Sequence, residues 1–110
     1  MTMIGRYALR LILAASLLTL MAACATSGAR NAYRQAEKAA ERELWDQAVL
    51  GYAKAVALEP GDTRYKVALA RAKLRAATEH FDRGKRYLAS GQLELATAEL
   101  QEAVILDPSN

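Results

Sequence analysis

Few side chains in this 110-residue chain are equipped for chemistry. Cys24 is the only thiol and His80 the only imidazole. A nucleophile needs a base beside it, and nothing in the sequence pairs His80 with a Ser or Cys nucleophile. His80 therefore reads as a structural residue at a packing position. Glu37, Glu41 and Glu43 read as a charged helix face, because no His accompanies them as a metal partner. Gly84 and Gly91 lack the strand and Gly-rich run of a phosphate loop. The expectation is a protein that is not an enzyme, with no metal and no cofactor apart from any group carried covalently by Cys24.

The segments that hold these residues are helical by pattern. Residues 77–89 contain no Pro and carry apolar residues at helical spacing. Ser90-Gly91 breaks the run, and Gly91 suits the left-handed turn that ends a helix. From Leu93, the series Leu93, Ala96, Leu100, Ala103, Val104, Leu106 forms one apolar stripe, closed by Asp107-Pro108. A linker of about three residues folds the two helices back antiparallel. Gly84 and Ala96 fit a close approach between them.

The same unit occurs upstream. Ala48, Ala55, Val56, Leu58 and Pro60 recur as Ala96, Ala103, Val104, Leu106 and Pro108, each 48 positions later. Such self-similarity marks a repeat architecture. The segment 63–76 has no Gly or Pro and adds nearly four whole turns. Thr63 is the expected N-cap of one long helix over 64–89. Val67, Ala70, Leu74, Ala77, Phe81, Gly84 and Leu88 alternate by three and four along it and predict one continuous packing seam.

At the start, Arg6 and Arg10 precede a short apolar run, Leu11–Leu20, followed by small residues before Cys24. That is the layout of a secretory signal. The run is short for a transmembrane helix, which needs about 20 apolar residues. Leu20-Met21-Ala22-Ala23-Cys24 resembles the bacterial lipobox. The resemblance implies that Cys24 carries a diacylglyceryl thioether and becomes the mature N-terminus. Ala25 after Cys24 implies, by analogy with the enterobacterial sorting rule, the outer membrane facing the periplasm. Residues 24–30 read as a flexible tether, and Asn31 as the N-cap of a helix running to about Glu43, with a second helix over about 46–58.

Residues 77–110 resemble a complete tetratricopeptide repeat, with Gly84, Tyr87, Gly91, Ala96, Ala103 and Pro108 at that family's small and turn positions. His80 stands where the family often has Trp, and Arg83 where it often has Leu. In the first repeat Gln35 and Ala36 replace the usual Leu-Gly pair. The resemblance implies an all-α short solenoid of helix-turn-helix repeats with an extended linking helix. Its parts are a signal over 1–23, a tether over 24–30, repeat one over 31–62, and the long helix with repeat two over 63–110. It implies a groove for a peptide or protein partner of the cell envelope, with Tyr33, Glu37, Phe81, Lys85 and Leu88 at groove positions. For Phe81 and Leu88 the seam gives core packing as the competing role. The family's Lys-then-Asn carboxylate-binding pattern is absent.

The net charge of +3 falls to about +1 once Arg6 and Arg10 are removed with the signal. Residues 63–87 carry eight Lys or Arg, and residues 88–110 four acids and no base. The basic stretch reads as a solvated face with ion pairs Glu79–Arg83 and Asp82–Arg86, not as a nucleic-acid surface, because stacking aromatics are not interleaved. Two repeats are marginal for stability on their own, so self-association, a partner or a continuation of the chain is expected over the last helix. The leading functional expectation is a lipid-anchored, non-enzymatic scaffold or adaptor. The competing one is the N-terminal part of a secretin-like protein of type II secretion or type IV pilus systems, whose order of lipobox, tether, repeat, long helix and repeat this chain resembles.

Overall fold

The computed structural model describes residues 3–109. They form four helices in sequence: α1 (Met3–Glu41), α2 (Trp45–Leu58), α3 (Thr63–Ala89) and α4 (Leu93–Leu106). Each helix packs against the next, α1 on α2, α2 on α3 and α3 on α4. The result is an elongated all-α molecule, 82 × 24 × 20 Å, built as a helical-repeat arrangement.

The turns repeat in the same register as the sequence. Leu44 N–H donates to the Ala39 carbonyl at 2.9 Å, and 48 residues later Gln92 N–H donates to Tyr87 at 2.9 Å. Glu59 N–H to Ala55 and Asp107 N–H to Ala103 close α2 and α4 identically, both at 2.9 Å. The turn after α3 uses Gly91 at φ 76°, whereas the matching turn after α1 places Glu43 at φ 59°. A side chain in the left-handed region costs about 1–2 kcal/mol, a cost Gly escapes. Glu43→Gly is therefore expected to stabilise the protein by about 1 kcal/mol, read as a higher denaturant midpoint at unchanged slope.

Alanine makes the core. Ala29, Ala36, Ala48, Ala55, Ala72, Ala76, Ala77, Ala96 and Ala103 are buried, joined by Tyr52 and Tyr65. No large side chain among the described residues is fully buried. Small side chains let the helix backbones approach closely. Gly51 lies so near α1 that an added Cβ would stand 2.7 Å from the Ala36 Cβ, and Gly84 so near α4 that it would stand 2.7 Å from Leu100.

The buried face of α3 differs from the expected seam. Tyr65, Ala72, Ala76, Ala77, His80 and Gly84 are buried, whereas Val67, Leu74, Phe81 and Leu88 are exposed. Of the seam, Ala77 and Gly84 alone are buried, because α2 and α4 pack on the row of small residues and not on the bulky ones. Helix α3 is capped by Asp62, whose Oδ1 accepts from Arg64 N–H at 2.9 Å; Thr63, expected as the cap, is the first helical residue. Glu79 pairs with Arg83 at 3.7 Å, but Asp82 pairs with Lys85 at 3.1 Å and not with Arg86.

Residues 24–30, expected as a tether, continue α1 as helix. Ala29 is fully buried, and a Cβ on Gly28 would lie 3.4 Å from Leu58. Nothing from Leu11 to Glu41 breaks a helix as Pro would, so Asn31 stands mid-helix and not at a cap. The apolar part of α1 before Cys24 stands free of the rest of the molecule, with Leu11, Ile12, Leu13, Leu17, Leu18 and Leu20 all exposed.

Candidate functional site

An open cleft of about 660 Å³ lies where α1, α2 and α3 meet. One side is α3, which presents Arg64, Arg71 and Arg75, with Val67 between them. Steps of seven and four place these three arginines on one helix face. Tyr33 and Glu37 come from α1, and Trp45 and Tyr52 from α2. The aromatic side chains pack on one another. The Tyr33 ring lies 5.4 Å from Tyr52 and 5.0 Å from Tyr65, centroid to centroid, both tilted. The Arg75 guanidinium lies 5.9 Å from the Trp45 ring, near the limit for a cation–π contact.

Glu37 is the acid of the cleft. It accepts a hydrogen bond from the Tyr52 hydroxyl. Burial, then that bond and the carboxylate's charge, hold the Tyr52 phenol well above its ordinary range. Burial and the Glu37 carboxylate also push Tyr33 upward. Both phenols thus remain protonated donors at neutral pH. Among the described residues, Arg71 and Arg75 take part in no ion pair, while Arg64 pairs with Asp62 at 2.8 Å. The cleft combines hydrogen-bonding phenols, an indole and two guanidinium groups outside any ion pair among the described residues. Such a surface holds a ligand by stacking and charge.

A second cluster joins α2, α3 and α4. His80 on α3 is 9% exposed and stands between the start of α2 and the middle of α4. Its Nε2 lies 2.9 Å from Asp46 Oδ1 and its Nδ1 2.6 Å from Glu99 Oε2. A ring with a carboxylate at each nitrogen donates from both, which is the imidazolium form. Burial works against that charge, and the bonds to Glu99 and Asp46 outweigh it, so His80 is held above its ordinary value. Arg83 Nε donates to the same Glu99 oxygen at 3.0 Å, and its Nη2 stands 2.8 Å from Nδ1, opposing the imidazolium charge. For Glu99, burial pushes upward, but His80 and Arg83 outweigh it and hold the carboxyl below its usual range. With both nitrogens engaged, His80 offers no free base to a substrate.

The residues expected from the sequence fall into three places. Tyr33 and Glu37 line the cleft. Phe81, Lys85 and Leu88 lie further along α3 and are not in the cleft lining; Phe81 and Leu88 are exposed, so neither is a core residue, and Lys85 Nζ sits 4.9 Å from the Phe81 ring. Cys24 is exposed on α1. The sequence reading missed Trp45, Tyr52, Arg64, Arg71 and Arg75 as cleft residues. The spacing of the three arginines was the available signal. Among the described residues, no group of three or more His, Cys, Asp or Glu is placed to hold a metal ion.

Fold and site together define an all-α helical-repeat module whose N-terminal helix is long and apolar enough to associate with a membrane. Comparison with protein-family models, curated proteins and solved structures finds no match.

Proposed function

We propose that this chain is a non-enzymatic interaction module of the tetratricopeptide type. It is anchored to the bacterial cell envelope by lipid on Cys24 and serves as a scaffold or adaptor for a protein partner. The outer membrane, periplasmic face, is the proposed address. The observation that carries the reading is the cleft itself: an aromatic floor with Arg71 and Arg75 outside any ion pair among the described residues. Support comes from the repeated turn bonds at an offset of 48 residues. The free-standing apolar stretch of α1 and the exposed Cys24 immediately after it support the anchor.

The secretin-like alternative has one observation in its favour. Leu95, Val104 and Ile105 of α4 are exposed, an apolar face suited to a further packed element.

The cleft reading is tested by placing a photo-cross-linking amino acid at Val67, inside the cleft, and at Lys54, exposed on α2, in cells carrying the full chain. The expected result is a discrete adduct from position 67 that is lost in R71E/R75E. Equal labelling from both positions would overturn the assignment of the cleft.

A further inference from the structure

The outward face of α1 is basic, and its charge is uncommitted. Arg30, Arg34 and Lys38 recur at every fourth position, Arg42 follows in the turn just past Glu41, and all four are exposed. At about 100° per residue Arg30, Arg34 and Lys38 fall within one arc opposite the buried Ala29, Ala32 and Ala36. Glu41 is the one acid on that arc, so the face carries four positive charges against one negative. Among the described residues none of the four cations takes part in an ion pair. The face is also uncovered, since α2 packs on the opposite side of α1.

Its position along the helix identifies the counter-surface. Arg30 follows Cys24 by six residues and Lys38 by fourteen, which at 1.5 Å per residue is roughly 9 and 21 Å of helix, and Arg42 lies beyond in the turn. Electrostatic attraction to a charged membrane fades over a Debye length of about 8 Å in physiological salt. An upright α1 would bring only Arg30 near the headgroups. A flat α1 brings all four.

We infer that the basic face formed by Arg30, Arg34 and Lys38 of α1, with Arg42 just past its end, docks on an anionic phospholipid bilayer, laying this part of the helix along the membrane surface. The inference rests on the membrane-anchored reading above. Tyr33 and Glu37 flank the basic arc on the same helix, so docking would orient the cleft relative to the membrane as well as hold it there.

The test uses the full acylated chain reconstituted into vesicles. Acylation of Cys24 leaves a thiol introduced as N31C, on the basic face, or as K54C, on α2, the only free one to carry a spin label. In vesicles with 30 mol% phosphatidylglycerol, the N31C label is expected to be about threefold less accessible to an aqueous nickel relaxer than in pure phosphatidylcholine. That protection disappears in high salt and in R30Q/R34Q/K38Q/R42Q, and K54C shows none of it. Protein that floats with the vesicles but shows no dependence on lipid charge at N31C overturns the docking face alone. Protein that does not float overturns the anchor, and the docking face with it.

Discussion

Gly51→Ala is expected to destabilise the protein by about 2–3 kcal/mol, the cost of overpacking a closed contact. Inside a helix the same change normally gains about 1 kcal/mol from propensity, so the sign of the result decides which effect wins. The new methyl would meet Ala36 Cβ at 2.7 Å, Ala36 Cα at 3.1 Å and the Ala32 carbonyl oxygen at 3.3 Å. These atoms belong to backbone or sit directly on it, so relief requires α1 and α2 to separate. Gly84→Ala is the informative contrast. Its methyl would also meet atoms at 2.7 Å, the Leu100 Cγ and Cδ2, but both belong to a half-buried side chain that can turn aside without moving the backbone. We expect Gly84→Ala to cost no more than about 1 kcal/mol, an overpacking cost partly offset by propensity. Thermal melts in mild detergent distinguish the pair: roughly 10 °C or more lost for Gly51→Ala, and only a few degrees for Gly84→Ala. A Gly51→Ala protein as stable as the parent would refute the close α1–α2 contact.

His80→Ala is the second large effect. It removes the group that bridges α2 to α4 and leaves Asp46 and Glu99 without that partner, at a cost of about 1–2 kcal/mol. It also changes how stability depends on pH. The folded value of His80 lies above its ordinary 6.5, so its contribution is complete below about that pH and is lost as pH rises through the folded value. Glu99 lies below its ordinary 4.5, so its contribution is present above that pH and is lost as pH falls through the folded value. The parent protein is therefore expected to melt highest between these limits and to weaken as pH rises above about 6.5 through the folded value of His80. His80→Ala should abolish the alkaline decline. It should keep the acid one, because Arg83 still pairs with Glu99 at 3.0 Å. A full alkaline decline in the variant would remove His80 as its cause.

The sequence and the structure agree most closely where local rules dominate. The ends of α2, α3 and α4 are set by Pro60, Gly91 and Pro108 respectively, and by the apolar spacing before them. The 48-residue offset reappears in the bonds Leu44–Ala39 and Gln92–Tyr87 and in Glu59–Ala55 and Asp107–Ala103. The disagreements arise where packing between helices decides. Val67, Leu74, Phe81 and Leu88 form an apolar row by spacing, but a row of alanines and Gly84 permits closer approach, so the bulky row stays exposed. Residues 24–30 are small and polar in a way that suggested a tether, yet Ala29 is buried and the helix continues through them. Glu43 adopts the conformation of Gly91 without being Gly, which no composition rule signals. The His80 bridge was hidden because Asp46 and Glu99 lie 34 and 19 residues away in the chain. The α1 side of the cleft was legible, through Tyr33 and Glu37. The rest needed α2 and α3 brought against α1, which periodicity alone does not specify.

The central claim is a helical-repeat module held at the membrane through Cys24, and the intact mass of the native protein from detergent-extracted membranes tests it most directly. The account predicts a species that begins at Cys24 and carries acyl chains, with the mass of residues 1–23 gone. An unacylated species that still contains residues 1–23 would contradict it.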